Sequence, residues 1–246
     1  MPIRATTPVT ELLSDKSTSP ILSIDFADAE TIRARKVVTR SRARPTGKFP
    51  SWKAGRMIQW ESPHELNAYR LLDANPAVRT FREQPCEIRY LLNGEERRHY
   101  PDALVELEAT KELREVKTEQ DAFDPEVFER TTLLQSALPN HGYQYKVVIA
   151  EDLRRQPRLA NALLVLRFGR AQMPDADRER LRRIFMRTSF FTWGAVLDEA
   201  FGRLGRNHIC RLLLEGVLTF DIEQPLTRET IVRWTGTSAC SPKKGA

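Results

Sequence analysis

The dipeptide Asn93-Gly94 separates two runs that read as β-strands, and it limits the possible folds more than any other feature of the sequence. Asn-Gly favours the two-residue turn of a β-hairpin because both residues tolerate positive φ. Before the turn, apolar residues occupy every second position from Cys86 to Tyr90, which is the period of a half-buried strand. We therefore predict a hairpin whose return strand runs on through residues 100–107.

Helix and strand signals continue on both sides of this hairpin. Ser62, followed by Pro63 and Glu65, forms a helix start, and Asn75-Pro76 is where that helix should end. The next elements are expected to be a strand over residues 113–117, a helix from Asp124-Pro125 to residue 138 and a buried strand over residues 145–150. This order predicts an α/β fold with a mixed central sheet flanked by helices.

The two ends of the chain have a different character. Residues 1–30 look weakly structured, and Pro45, Gly47 and Pro50 discourage long regular elements within residues 31–60. Towards the C-terminus, helices are expected over residues 178–187, 193–201 and 205–215, followed by short strands over residues 217–220 and 229–234. Three helices and a hairpin are the outline of a winged helix.

Lysine and arginine are concentrated in one segment of the chain. Residues 31–56 contain nine of them and no Asp or Glu. A segment of this kind binds a polyanion by releasing counterions from phosphates, without reading base sequence. A solvated charged surface is the alternative interpretation. The candidate DNA-binding residues in and beside this segment are Arg40, Arg42, Arg44, Lys48, Lys53 and Arg56.

The composition excludes several classes of protein. The 246 residues carry a formal charge of +6, and 41% of them are hydrophobic, which excludes a wholly disordered chain. No stretch approaches the roughly 18 apolar residues of a membrane span, and the N-terminus lacks the pattern of a signal peptide. Cys86, Cys210 and Cys240 are odd in number and far apart, so neither a disulfide framework nor a zinc site is expected. We therefore expect a cytoplasmic protein without a membrane partner.

The segment from Asp102 to Lys117 contains the residues that point to chemistry. Asp102 stands at the start of one predicted strand, and Glu115 and Lys117 lie two apart on the next, so they share a face. If these strands are neighbours, two carboxylates and one ammonium meet. Carboxylates suit Mg²⁺, which neutralises a phosphodiester and activates water, and Lys117 can stabilise charge that develops on phosphorus. An ExK pair alone is common on solvated strand edges, but a preceding PD on an adjacent strand is much less common.

A third carboxylate is available on the first predicted helix. Glu65 and Glu61 are one turn apart, and either could reach the metal. Glu65 also completes a capping box with Ser62, which alone would explain its presence. Gln84 is a weaker polar candidate, and His99 is interpreted as structural. The four histidines show no metal-ligand spacing, and the sequence contains no phosphate-binding glycine loop.

Taken together, these motifs resemble a known family. The segments Ser62-Pro63-His64-Glu65-Leu66, Asn75-Pro76-Ala77-Val78, Gln84-Pro85, Tyr100-Pro101-Asp102 and Glu115-Val116-Lys117 are similar to those of the TnsA endonuclease subunit of heteromeric Tns-type transposases. The resemblance covers roughly residues 50–165 and implies a restriction-endonuclease-like fold of the PD-(D/E)xK type. A winged-helix-like α domain would follow, matching the family only in outline. The implied division is a basic arm over residues 1–50, a nuclease domain over 51–168, a winged-helix-like domain over 169–238 and a tail over 239–246.

The resemblance also implies roles and partners. Glu65, which it ranks above Glu61, would be catalytic together with Asp102, Glu115 and Lys117, and the three acids would ligate Mg²⁺, for which Mn²⁺ would substitute. The subunit would cut the 5′, non-transferred strands at transposon ends in double-stranded DNA. A TnsB-like transposase would process the 3′ ends, and a TnsC-like AAA+ ATPase would contact the C-terminal region. The setting would be the bacterial cytoplasm, in association with the nucleoid.

Two other functions use the same residues differently. A stand-alone restriction, repair or junction-resolving nuclease would keep the site but act without a transposase. A non-catalytic regulator would bind DNA through the basic arm and the winged helix, with the α/β part as a scaffold. The joint presence of Asp102, Glu115 and Lys117 argues against the regulator, since a decayed site usually loses one of its residues.

Overall fold

A computed structural model describes residues 19–27, 34 and 45–236 of the chain. The strands are β1 (Ile21–Phe26), β2 (Gly47–Ser51), β3 (Arg56–Trp60), β4 (Thr80–Glu83), β5 (Cys86–Leu92), β6 (Glu95–His99), β7 (Ala103–Glu106), β8 (Lys111–Lys117), β9 (Gln144–Ile149), β10 (Phe190–Thr192), β11 (Leu218–Thr219) and β12 (Ile231–Trp234). The helices are α1 (Pro63–Ala74), α2 (Glu119–Ala122), α3 (Pro125–Ala137), α4 (Ala150–Leu153), α5 (Arg158–Gly169), α6 (Asp175–Phe185), α7 (Trp193–Leu197) and α8 (Gly205–Leu214). This mixed α/β architecture is consistent with the predicted restriction-endonuclease-like fold.

Local sequence signals account for the helix starts and for the hairpin. The side chain of Ser62 accepts a hydrogen bond from the backbone N–H of Glu65 at the start of α1, and Asp124 caps α3 in the same way. Asn93 and Gly94 both have positive φ, at 54° and 81°, and they connect β5 to the antiparallel β6. The predicted turn is therefore confirmed.

The central sheet has the strand order β4-β7-β8-β9, with β7 antiparallel to β8 and β9 parallel to β8. One sequence prediction is wrong here, because the return strand of the hairpin does not run on into residues 103–107. It ends at His99 as β6, and β7 begins at Ala103 in the central sheet. Pro101 lies in the break, where its missing N–H cannot interrupt either ladder.

The N-terminal segments are more ordered than predicted. Ile21–Phe26 form β1, which pairs antiparallel with β5, so residues 1–30 are not uniformly weak in structure. The strands β2 and β3 form an antiparallel hairpin that buries Phe49 and Ile58. The buried Asp73 of α1 accepts a 2.6 Å hydrogen bond from the Ser51 hydroxyl, which ties this hairpin to the helix. The predicted arm therefore folds onto the α/β core from about residue 45 onwards.

Two clusters of buried apolar side chains lie among the residues that the structure describes. One of them joins Leu113 of β8 to Leu134 of α3 and Tyr145 of β9. The other joins the β2–β3 hairpin, α1 and β7 to helices α5 to α8. The first cluster fixes the position of α3 against the strand that carries Glu115.

The C-terminal elements include three of the expected helices and a three-stranded sheet with the order β10-β12-β11. The strand β10 was not predicted. A Cβ atom added to Gly169 of α5 would lie 2.7 Å from the carbonyl oxygen of Cys210 in α8, so this close crossing requires glycine. The apolar core continues across the predicted boundary at residue 168. Both that boundary and the winged-helix identity stay predictions.

No helix in the described ranges is long and apolar enough to cross a membrane. Of the cysteines, Cys86 and Cys210 are buried free thiols, and Cys240 lies outside those ranges.

Candidate active site

Asp102 and Glu115 are brought together by the pairing of β7 and β8. Ala103 lies opposite Arg114 in this ladder, so the same register continued by one residue places Asp102 opposite Glu115. The backbone N–H of Val116 donates a 2.7 Å hydrogen bond to Oδ2 of Asp102. The two carboxylates, which are thirteen positions apart in the sequence, are therefore neighbours at one end of the central sheet.

Glu115 and Lys117 project from the same face of β8, as their spacing predicts. The Lys117 ammonium lies 2.7 Å from Oε1 of Glu115. Only 6% of the Glu115 side chain is exposed, against 26% of Lys117, so the amine lies on the solvent side of the carboxylate. The other carboxylate oxygen, Oε2, is buried and has no hydrogen-bond partner among the residues that the structure describes.

The electrostatics of this pair favour a bound cation. Burial raises the pKa of Asp102 well above its usual range, and the negative charges of Glu115 and then Glu65 raise it further. Burial also raises the pKa of Glu115, against the opposing effect of the Lys117 ammonium. Two ionised carboxylates in this position repel each other, and a cation between them would remove the repulsion.

Glu65 has a structural role at the start of α1. Its Oε1 accepts a 3.1 Å hydrogen bond from the Ser62 hydroxyl, and its Oε2 accepts a 2.9 Å bond from the backbone N–H of Glu61. This is the capping box that the sequence predicts. Glu65 is also close enough to raise the pKa of Asp102, so the helix start lies near the carboxylate pair. Its catalytic role stays a prediction.

Gln84, the weaker candidate from the sequence, connects two parts of the site. Its amide Nε2 donates a 2.7 Å hydrogen bond to Oε1 of Glu61, and its backbone N–H donates a 2.9 Å bond to the carbonyl oxygen of Asp102. The Tyr69 hydroxyl donates to the same carbonyl at 3.1 Å. Gln84 holds a positive φ of 40°, which is a strained conformation for a residue with a side chain. These contacts fix the backbone of Asp102.

Three residues surround Glu115 whose role in the site the sequence does not predict: His99, Tyr145 and Arg130. His99 Nε2 lies 3.4 Å from Oε2 of Glu115 and 2.9 Å from the Tyr145 hydroxyl. Burial lowers the pKa of His99 to about 3, and the charges of Arg130 and Lys117 lower it further. His99 is therefore neutral, and its approach to Glu115 is not an ion pair. The only sequence signal that His99 belongs to the site is its closeness to Asp102 in the chain. No such signal exists for Tyr145 or Arg130.

The oxygen donors of the site fit a divalent cation only in part. Among the described residues, no group of three or more His, Cys, Asp or Glu side chains is arranged to hold a metal ion. The set of Glu65, Asp102 and Glu115 therefore stays a prediction. Asp102 and Glu115 nevertheless fit Mg²⁺ or Mn²⁺, because they are adjacent hard oxygen donors and the buried Oε2 of Glu115 has no hydrogen-bond partner in the described part of the chain. Water and phosphate oxygens complete such sites.

A cavity of about 670 Å³ is lined in part by Asp102, but neither Glu115 nor Lys117 belongs to its lining. Its walls include Tyr69, Arg114, Val116 and Phe220. Val116 points to the face of β8 opposite Glu115 and Lys117. The cavity therefore adjoins the site at Asp102 but lies on the face of β8 opposite Glu115 and Lys117.

The predicted DNA-binding residues have different environments. Lys48 is exposed on β2. The Lys53 ammonium donates to the carbonyl oxygens of Asn75 and Val78 at the end of α1. Arg56 makes a two-pronged ion pair with the buried Glu83, at 2.8 and 2.6 Å. Lys53 and Arg56 thus have partners within the fold. Arg40, Arg42 and Arg44 lie outside the described residues, and a DNA contact at any of these six positions stays a prediction.

The comparison with protein families agrees with this geometry. Residues 75–149 match the model of the family described as TnsA-like endonuclease N terminal. This match confirms the resemblance drawn from the sequence over those residues, and it supports a TnsA-type endonuclease. Asp102, Glu115 and Lys117 lie within the matched range, whereas Glu65 and the C-terminal helices lie outside it. No curated protein matches the chain.

Proposed function

We propose that the protein is the DNA endonuclease subunit of a heteromeric transposase and cuts the 5′, non-transferred strands at transposon ends. The observation that carries the proposal is the convergence of Asp102, Glu115 and Lys117 within the range that matches TnsA-like endonucleases. Two adjacent carboxylates beside one ammonium suit hydrolysis of a phosphodiester. The family match supports a transposon-associated nuclease, and such a nuclease acts on DNA.

The three side chains have two kinds of role in the proposed reaction: two bind the metal ion and one stabilises charge. Asp102 and Glu115 would hold Mg²⁺, or Mn²⁺ in its place, and the ion when bound would supply charge neutralisation at the phosphate and activation of water. The Lys117 ammonium donates a hydrogen bond to a phosphate oxygen and stabilises the negative charge that grows there in the transition state. Attack of water forms a new P–O bond and breaks the bond between phosphorus and O3′. The products are a 5′-phosphate and a 3′-hydroxyl.

Burial of the site explains how water and substrate would be ordered. The Glu115 carboxylate is nearly inaccessible, and His99 and Tyr145 close its inner side. Low solvent access strengthens the interactions of Lys117 with an anion. The Gln84 N–H and the Tyr69 hydroxyl both donate to the carbonyl oxygen of Asp102 and hold its backbone in place. The pair of acids is therefore positioned before DNA binds.

The proposed partners follow from the same family. A TnsB-like transposase would cut and join the 3′ ends and deliver the substrate, and a TnsC-like AAA+ ATPase would bind the C-terminal region. A winged helix formed by the C-terminal elements would suit such contacts. The basic residues of the N-terminal part, Lys48 among those described, would add affinity for DNA without sequence preference. The proposed location is the bacterial nucleoid.

A reconstituted excision assay with a TnsB-like transposase, which we expect to be encoded beside the gene, tests this function. The strands cut at each transposon end are mapped with the wild type, Asp102→Ala and Lys117→Ala. We expect loss of the 5′-strand cuts in both variants and unchanged 3′-strand cuts. Lys111→Ala is the matched control, because Lys111 is exposed at the other end of β8.

Three other outcomes would change the conclusion. Wild-type nicking by Asp102→Ala or Lys117→Ala overturns the site. Efficient cleavage by the purified wild type alone, without the transposase, favours a stand-alone nuclease. Absence of both cleavage and measurable Mg²⁺ or Mn²⁺ binding leaves a DNA-binding scaffold.

A further inference from the structure

Arg130 is a buried cation at the candidate active site whose role the site chemistry above does not explain. It lies on α3, four residues before Leu134, so the two side chains share the helix face that packs against the sheet. Leu134 is fully buried in the cluster that contains Leu113 and Tyr145. This packing directs the Arg130 side chain toward the same region of the sheet, next to Glu115.

Two of the N–H donors of Arg130 make no hydrogen bond to the described residues. Its Nη2 lies 3.9 Å from Oε1 of Glu115, which is too far for a direct hydrogen bond. The same oxygen is already 2.7 Å from the Lys117 ammonium. Among the described residues, the buried Nε and Nη2 atoms of Arg130 have no hydrogen-bond partner at bonding geometry, although the hydroxyls of Tyr90 and Tyr145 lie near enough to interact with the guanidinium. Buried guanidinium donors are normally paired, so two open donors beside a buried carboxylate require an explanation.

The chemistry of the open donors points to an anion. Nε and Nη2 form the side-on edge of the guanidinium, the fork that binds two oxygens of a phosphate or carboxylate at once. About 19% of the Arg130 side chain is exposed, against 6% of Glu115, but the Nε and Nη2 atoms are themselves covered, so a phosphate reaches the fork only after a neighbouring side chain moves aside. Lys117 lies on the same solvent side at 26% exposure. Two cations thus flank the entry to the carboxylate pair.

We propose that Arg130 is a further catalytic residue, which binds non-bridging oxygens of the scissile DNA phosphate with its Nε and Nη2 atoms. The proposal rests on the proposed nuclease function and extends it by naming the group that orients the phosphate. Lys117 and Arg130 then hold the phosphate from two sides. The planar fork fixes the rotation of the phosphate, which a single ammonium does not.

The first test measures DNA binding without cleavage. The purified full-length chain is titrated with a fluorescent DNA duplex at several salt concentrations, in EDTA and separately in Ca²⁺. We expect Arg130→Gln to reduce the slope of log affinity against log salt by about one, because one phosphate contact is lost. Arg155→Gln should keep the wild-type slope, since Arg155 is exposed and paired with Asp152 at 2.6 Å. A wild-type slope for Arg130→Gln in both buffers overturns the proposal.

The second test separates a phosphate contact from a structural role. Arg130→Lys keeps the charge near Glu115 but lacks the fork. We expect it to keep the wild-type salt slope and melting temperature while its single-turnover rate of 5′-strand cleavage in the reconstituted complex falls at least about 10-fold. If Arg130→Lys cuts at the wild-type rate, the fork is not used and the proposal fails. This variant also remains informative if Arg130→Gln does not fold.

The failure of this inference differs from failure of the nuclease function. If the wild type cuts DNA and both Arg130 variants match it in slope and rate, only the role of Arg130 is wrong. If the wild type and Asp102→Ala are equally inert in the complete complex, the nuclease function itself is wrong, and with it the catalytic role of Arg130.

Discussion

The backbone N–H of Val116 donates a 2.7 Å hydrogen bond to the Asp102 carboxylate, across the end of the β7–β8 ladder. The strand that carries Glu115 and Lys117 therefore also orients the other acid of the site. The carboxylate pair is thus a product of strand pairing and not of a flexible loop.

Asp102→Asn should abolish cleavage without lowering the stability of the fold. Burial and the negative charges of Glu115 and Glu65 raise the pKa of Asp102, so its ionised form destabilises the folded state at neutral pH. The amide removes this charge, and its oxygen can still accept from the Val116 N–H. We expect a melting temperature at or above that of the wild type in EDTA, together with loss of 5′-strand cleavage.

Addition of Mg²⁺ provides the control for this prediction. Binding to the folded state should raise the melting temperature of the wild type and raise that of Asp102→Asn less. A variant that melts well below the wild type in EDTA would contradict the pKa argument. An equal gain from Mg²⁺ in both proteins would show that Asp102 is not a ligand.

The sequence could predict the parts of the site that depend on local spacing. Glu115 and Lys117 share a face because side chains alternate along a strand, and the Ser62 cap is a pattern of four adjacent residues. Neither the docking of β1 on β5 nor the approach of Arg130 to Glu115 has a local signal. Both depend on packing between segments that are distant in the chain, and an arginine within a helix looks like a surface residue until its neighbours are known.

Glu65 can be tested for two roles that its position combines. Glu65→Ala removes the acceptor of the capping box and should cost about 1 kcal/mol of stability. Glu65→Gln keeps an oxygen that accepts from the Glu61 N–H, so its stability should stay near that of the wild type. If Glu65 is a ligand, Glu65→Gln will lose cleavage without losing stability. The measurements are thermal melting and the excision assay.

A matched control exists on the next long helix. Glu126 is an exposed acid in the first turn of α3, so Glu126→Gln changes the same chemistry at a helix start. It should cut at the wild-type rate. Wild-type cleavage by both Glu65 variants would restrict Glu65 to its capping role and remove it from the metal site.

His99 should make the folded state sensitive to acid. Its pKa is lowered to about 3 in the folded protein, from an unfolded value of about 6.5. Between these values the unfolded chain binds a proton that the folded chain does not, so the free energy of unfolding falls as the pH falls. The expected slope is up to about 1.4 kcal/mol per pH unit, and it should disappear in His99→Gln.

Urea unfolding at pH 7, 6 and 5 measures this effect. The raised pKa values of Asp102 and Glu115 act in the opposite direction, since both groups take up protons more readily in the folded state. The comparison is therefore the difference between the wild type and His99→Gln at each pH. Parallel profiles for the two proteins would show that His99 takes up a proton as easily in the folded state as in the unfolded chain.

Lys53 should affect stability in the alkaline range, because the fold uses its ammonium internally. Burial lowers its pKa from 10.5 to about 8, partly offset by the charge of Asp73. Between pH 8 and 10.5 the unfolded chain keeps a proton that the folded chain releases, so the Lys53 contribution makes the free energy of unfolding rise with pH. The Cys86 thiol has the opposite effect above pH 9, because burial raises its pKa to about 12.

Comparison of the wild type with Lys53→Met isolates the lysine. We expect the difference between their free energies of unfolding to grow by up to about 1.4 kcal/mol per pH unit. Lys48→Met, at an exposed position on β2, should follow the wild-type profile. A Lys53→Met profile parallel to that of the wild type would mean that the amine is free in solvent and available to DNA after all.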